Sequence, residues 1–204
     1  RIFIQPAAGD SGGALGAAAY LYNTVLRNRE RCTFDSVYLG PSYNLHHIET
    51  FLRTSSIPYE RYEDEILMKK VAHLLAEDKV IGWYQGRMEL GPRALGNRSI
   101  IASPKNPKMK DILNEKIKHR ERFRPFAPSV LAEHSRDYFD LEHEAPHMLL
   151  IADVHKDKQS EIPAATHVGT ARLQTVTRAA NPRYYELISE FHKITGTPVI
   201  VNTS

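Results

Sequence analysis

Val80-Ile-Gly-Trp-Tyr-Gln85, then Gly86-Arg-Met-Glu-Leu-Gly91-Pro-Arg93-Ala-Leu-Gly96-Asn97-Arg98, then Ser99-Ile-Ile-Ala102 is the stretch on which the architecture turns. Its outer pieces are short and rich in apolar and β-branched residues, so they read as strands; the glycines between them mark two turns. Upstream, Ile66, Leu67, Val71, Leu74 and Leu75 recur at spacings of three and four, a helix over 65–75 that leads into the first strand. Downstream, Met109, Ile112, Leu113 and Ile117 share one face of a helix over 108–118, and strands are expected over 128–131, 148–154, 170–176 and 198–201. A helix over 182–194 starts well, because Asn181 can cap it and Pro182 takes its first position. Before residue 60 the reading is a strand over 1–5, a glycine-rich turn over 6–16, a helix over 17–26, a strand over 35–39 and a helix over 45–52. Interspersed strands and helices predict an α/β (α+β) fold with a mixed sheet, in two parts, 1–60 and 61–204, divided after Ser55-Ser-Ile-Pro58.

Composition narrows the function. Hydrophobic residues at 42% and charged residues at 25% describe a folded chain, and 204 residues suit one or two domains at about 150 each. A net charge of +3 is too small for a polyelectrolyte, so anion binding must come from local clusters. No window approaches the roughly 20 apolar residues of a membrane span. One cysteine, Cys32, excludes an internal disulfide and fits a reducing cytoplasm; without an initial Met, and ending on Val201-Asn-Thr-Ser204, the chain reads as a piece of a longer polypeptide.

Two clusters carry anion-binding chemistry. Arg87, Arg93 and Arg98 lie among Gly82, Gly86, Gly91 and Gly96, where glycine lets backbone N–H groups approach an anion and arginine offers a fork matched to phosphate oxygens. The second is Lys116-Ile-Lys118-His-Arg120-Glu-Arg122-Phe-Arg124-Pro-Phe126, where Phe123 and Phe126 set apolar walls beside the cations. Pairing with surface carboxylates, and capping of a helix C-terminus, are the alternatives for each. Aromatic stacking on RNA by Arg120, Arg122 and Arg124 with Phe123 and Phe126 is a third reading, against which the small net charge argues. Asp10, in a glycine-rich turn, suits a metal ligand or a plain N-cap. His143-Glu-Ala-Pro-His147 matches the letters of a zinc protease motif, yet Pro146 interrupts the helix that such a motif needs.

Pro6 to Ala18, Gly82 to Ser99, Lys118 to Pro128, His167 to Val176 and Thr197 to Ser204 together resemble the O-carbamoyltransferase family of the NodU/CmcH type, in order and over the whole chain. The resemblance implies that 1–60 is the C-terminal remnant of an actin/sugar-kinase-like domain. It implies that 61–204 is a YrdC-like domain, with a twisted mixed sheet flanked by helices, that makes carbamoyl adenylate. Substrates would be ATP with Mg2+ and carbamoyl phosphate, and a hydroxyl-bearing small molecule or glycoside would accept the carbamoyl group. By the same resemblance Arg93, Lys118 and Arg124 are catalytic, and Arg87, Arg98, Arg122, Thr170, Arg172 and Ser204 contact substrate or nucleotide. Asp10 would ligate a divalent metal, iron among the candidates, together with the rest of the N-terminal domain; no membrane and no nucleic acid are expected. Where the family reads His-Val-Asp-Gly-Thr, this chain reads His167-Val-Gly-Thr170. A threonylcarbamoyl-adenylate synthase acting in tRNA modification is the runner-up among enzymes, by analogy of fold.

Overall fold

A computed structural model describes residues 4–31 and 36–204. In chain order, α1 (Asp10–Tyr20) continues into a π-helical turn (Leu21–Val25), followed by α2 (Leu45–Thr54), α3 (Asp64–Ala76), β1 (Ile81–Tyr84) and β2 (Arg98–Ala102). Next come α4 (Met109–Ile112), prolonged by a second π-helical turn (Leu113–Ile117), then β3 (Ala127–Leu131), α5 (Ser135–Tyr138), β4 (Ile151–Asp153), β5 (Thr170–Arg172), β6 (Gln174–Val176), α6 (Pro182–Thr195) and β7 (Val199–Thr203).

The main sheet has the order β1-β2-β7-β3-β6 and is mixed: β3 and β6 run parallel and the other pairs antiparallel. The last strand is central, so β7 is covered on both faces and reads as an unbroken apolar run, Val199-Ile-Val201. Alternation then sorts its side chains: Ile200 faces the α3–α6 layer with Trp83, Ile101, Leu131 and Phe191, while Val199 and Val201 face a second core with Met109, Leu113, Phe126 and Leu173. A two-stranded sheet, β4 with β5, lies apart from the main one.

Several expected elements shift. The stretch read as a glycine-rich turn is helical from Asp10, carried by Ala14, Ala17, Ala18 and Ala19; Gly12 fits because a Cβ there would lie 2.4 Å from the Ala7 carbonyl oxygen. The strand expected over 1–5 falls largely outside the described residues, and Ile4 and Gln5 are not in a strand. Residues 36–39 belong to neither sheet and bend at Val37, where Leu39 N–H donates back to the Val37 carbonyl (3.0 Å), Asp35 lying outside the described residues. The strand expected over 148–154 shrinks to β4, and 170–176 divides at Leu173 into β5 and β6, one in each sheet. His143 to His147 are not helical. No helix of the described residues is long and apolar enough to cross a membrane.

Candidate active site

Sheet register decides which motifs meet. Tyr84 pairs with Arg98, Ile100 with Thr203, Ala127 with Asn202 and Ser129 with Gln174. The end of β1, the start of β2, the end of β7 and the starts of β3 and β6 therefore share one edge of the sheet. Stretches that are distant in sequence, around Arg93, Lys118, Arg172 and Ser204, all leave or enter the sheet at that edge.

Below the Arg93 turn lies a buried polar platform. Asn202 Nδ2 donates to the Ala94 carbonyl (3.0 Å), and Gln174 Nε2 donates to the Leu95 carbonyl (3.0 Å). Ser129 Oγ donates to Gln174 Oε1 (2.7 Å) and accepts from Tyr184 Oη and Asn202 Nδ2 (both 3.0 Å), which closes the network. From the side, Glu89 Oε1 accepts the N–H groups of Leu95 (2.7 Å), Asn97 (2.9 Å) and Arg98 (3.3 Å), and Trp83 Nε1 donates to the Gly96 carbonyl (2.9 Å). Gly96 must be glycine: its φ is +101°, and a Cβ would come within 2.3 Å of the buried Tyr184 ring. Apart from Asn202 Oδ1, which is buried without a partner, the buried amides and hydroxyls of this network are satisfied, and they hold the turn in one conformation, which fixes where the Arg93 side chain starts.

The second basic stretch is organised by Asn114, fully buried in the π-helical turn. Its Nδ2 donates to the carbonyls of Arg122 (3.2 Å) and Arg124 (3.0 Å), and its Oδ1 accepts from Arg120 Nε (2.8 Å). The Arg120 guanidinium lies 4.9 Å from the centre of the Phe126 ring. Burial, and then Arg124, hold Arg120 below the ordinary guanidinium value. Lys118 Nζ donates to the Ser204 carbonyl oxygen, so these two expected site residues meet. Arg122 and Arg124 are exposed and ion-paired, with Glu115 and with Glu121 (2.7 Å).

Beside the turn, Phe126, Ile151, Ala171, His167, Thr170 and Arg172 line a pocket of about 200 Å³. Residues 167–170 close into a tight hairpin, with mutual backbone hydrogen bonds between His167 and Thr170 (2.8 and 3.0 Å). Val168 and Gly169 both take left-handed conformations there, φ +52° and +77°, a strained choice for the β-branched, exposed Val168. Thr170 Oγ1 donates to the His167 carbonyl (2.9 Å). Arg93 and Arg172 are partly buried, and the Nε of each is buried with no hydrogen-bond partner. Neither guanidinium has an ion-pair partner among the described residues. Burial first, and then the charge of Arg93, hold Arg172 below its ordinary value. Two neighbouring cations with unmet donors have the charge and the hydrogen-bonding capacity that a polyanion would use.

Other expected residues sit elsewhere. Arg87 Nε and Nη2 donate to the carbonyls of Gly40 (3.0 Å) and Leu39 (2.7 Å), which ties two chain segments together. Arg98 is exposed at the start of β2. Asp10 is exposed in the first turn of α1. No three His, Cys, Asp or Glu side chains converge among the described residues, Asp10 included. Sequence reasoning missed Asn114, Ser129, Gln174 and Asn202; the available signal was a polar residue inside or beside each buried apolar run.

A family model described as "Carbamoyltransferase C-terminus" matches residues 72–204, which include every expected site residue except Asp10. An uncharacterized protein of Synechocystis is 47% identical over all of this chain and 38% of its own length. Nodulation protein NolNO of Sinorhizobium fredii is 44% identical over all of this chain and 31% of its own. For nodulation protein NolO of Bradyrhizobium diazoefficiens the figures are 43% identity, the whole of this chain and 38% of its own. The chain thus spans about a third of the length of these curated relatives. A crystal structure of full-length HypF in the phosphate- and nucleotide-bound form aligns loosely, with a TM-score of 0.44 and 18% identity over 72% of this chain and 18% of that one.

Proposed function

The chain belongs to the carbamoyltransferase C-terminus family, and from that membership we propose that the sheet-edge cluster forms carbamoyl adenylate from carbamoyl phosphate and ATP. The observation that carries this reading is the pair Arg93 and Arg172, two partly buried arginines whose Nε donors are buried without a partner.

Carbamoyl phosphate and water would give carbamate and phosphate; a carbamate oxygen would then attack the α-phosphorus of ATP, with pyrophosphate leaving. A hydroxyl of a small molecule or glycoside would take the carbamoyl group in a last step, releasing AMP. Arg93 and Arg172 would bind phosphate oxygens of one polyanion, their buried Nε donors finding partners only when it is bound. Lys118, held at the sheet edge by the Ser204 carbonyl, adds a point charge for the phosphorus centre as it becomes more negative. Arg124 and Arg122 would exchange Glu121 and Glu115 for the nucleotide phosphates, as exposed ion pairs do at small cost. The pocket that Arg172 lines, with Phe126, Ile151 and Ala171 on its walls, would give the reacting groups an apolar side. ATP enters as its magnesium complex, and the cytoplasm supplies it. Acceptor binding, and any metal at Asp10, are assigned to polypeptide of the kind that makes the relatives about three times as long.

Mass-spectrometric detection of carbamoyl adenylate after incubation with ATP, Mg2+ and carbamoyl phosphate tests the reading. The expected result is product from the wild-type chain and a loss of about a hundredfold or more in Arg93→Ala and in Lys118→Ala. Product that persists in both variants, or its absence from the wild type even when it is joined to the further polypeptide of a relative, overturns it.

A further inference from the structure

We propose that Tyr38 is a positioning residue for Arg93, an inference that rests on the anion-binding reading of Arg93 above. Residues 37–41 run alongside 87–90. Leu90 N–H donates to the Val37 carbonyl (2.7 Å), Gly40 N–H to the Met88 carbonyl (2.9 Å) and Met88 N–H to the Pro41 carbonyl (2.9 Å). Arg87 adds its two bonds to the carbonyls of Leu39 and Gly40. This ladder delivers the Tyr38 side chain to the turn that carries Arg93. There its hydroxyl donates to the Leu95 carbonyl (2.9 Å) and accepts from Asn181 Nδ2 (3.0 Å), while the ring packs on the small cluster of Leu95, Ala127 and Met148. Asn181 also caps α6 and donates to Asn97 Oδ1 (2.9 Å). One hydroxyl therefore joins the 37–41 segment, the Arg93 turn and the start of α6. Burial pushes the Tyr38 phenol up to about 12, so it remains a donor at any working pH.

Tyr38 lies outside residues 72–204, the part matched by the family model, so part of the control over the arginine turn comes from the first stretch of the chain. A purely structural role makes a different prediction. Without the hydroxyl the Leu95 carbonyl keeps Gln174 and Asn181 Nδ2 keeps Asn97, so Tyr38→Phe orphans no buried group and leaves the ring in place. What it removes is the restraint that the 37–41 segment adds to those of Glu89 and Trp83 on the Arg93 turn.

The experiment compares the 204-residue chain with its Tyr38→Phe variant. Binding of carbamoyl phosphate and of inorganic phosphate is measured by calorimetry, and hydrogen exchange is followed at the amides of Leu95, Gly96, Asn97 and Arg98. All four amides are bonded within the turn, to Glu89 or Ser99, so their exchange reports its opening. We expect exchange there to quicken about fivefold or more and both anions to bind about fivefold or more weakly, with melting shifted by less than about 2 °C. Unchanged binding overturns the proposal, whether or not exchange changes. So does a large fall in melting temperature with exchange rising evenly through the core. A wild-type chain that binds neither anion overturns the reading of the Arg93 site itself, and the role of Tyr38 falls with it.

Discussion

Arg172 carries its charge where burial and a neighbouring guanidinium both oppose it. A cation held in this way is a local cost to the folded state until an anion arrives, so the two states of the site should differ in stability. Arg172→Met keeps the length of the side chain and removes the charge. We expect the variant to melt higher than the wild type without anion. Carbamoyl phosphate at about 100 times its Kd should stabilise the wild type by about 2.7 kcal/mol and leave the variant nearly unmoved. Thermal melts with and without the anion check this, and equal stabilisation of both proteins contradicts it. The sequence shows Arg93 and Arg172 as members of two separate motifs. That the charge of one acts on the other is a matter of tertiary structure.

At the scale of elements, α4 and the π-helical turn after it explain how a run of like charges can be ordered. Helical spacing placed Met109 and Leu113 in the core, and both are fully buried, whereas Ile117 of the same expected face is 40% exposed. The π turn changes the phase of the helix and turns Asn114 inward, where its amide binds two carbonyls and the Arg120 side chain. Asn114→Ala removes all three bonds of this part-buried cluster, at a cost of about 1–3 kcal/mol. We expect a lower urea midpoint and faster tryptic cleavage within 118–124, read by mass spectrometry; cleavage at the wild-type rate would contradict the role of Asn114. Apolar periodicity could not reveal this, since it scores apolar positions and is silent on why one polar side chain turns inward.

For the whole molecule, two histidines tilt the stability profile between about pH 7.5 and about pH 5.5. Burial lowers the value of His147; burial, and then the charge of His134, lower that of His192, which Glu133 partly offsets. Their folded values lie below the unfolded one, so the unfolded chain binds more protons as pH falls. Stability is therefore complete above about pH 6.5 and declines as pH drops through that value toward the folded ones. Melting at about pH 5.5 should lie below melting at about pH 7.5, and the double variant His147→Asn, His192→Gln should narrow the gap; an unchanged gap would assign the effect to other groups. At the same scale, no residue of α1 or α2 is buried, and Tyr20, Leu21, Leu26, Leu45 and Phe51 are exposed, whereas the cores lie almost wholly within residues 68–201.

Local pattern by itself determined the α+β class, the apolar strands, the helix capped by Asn181, and the position of the two basic motifs in the chain. These depend on neighbours within a few residues, which a sequence displays directly. Only the tertiary structure decided that β7 is the central strand, that 170–176 is shared between two sheets, and that Asn202, Gln174 and Ser129 support the Arg93 turn from beneath. It also decided that Arg87 ties backbone segments together while Arg93 lies near enough to Arg172 for its charge to act on it. The reason is physical: strand register and the burial of a polar atom are set by contacts between residues far apart in the chain, and no local period encodes them.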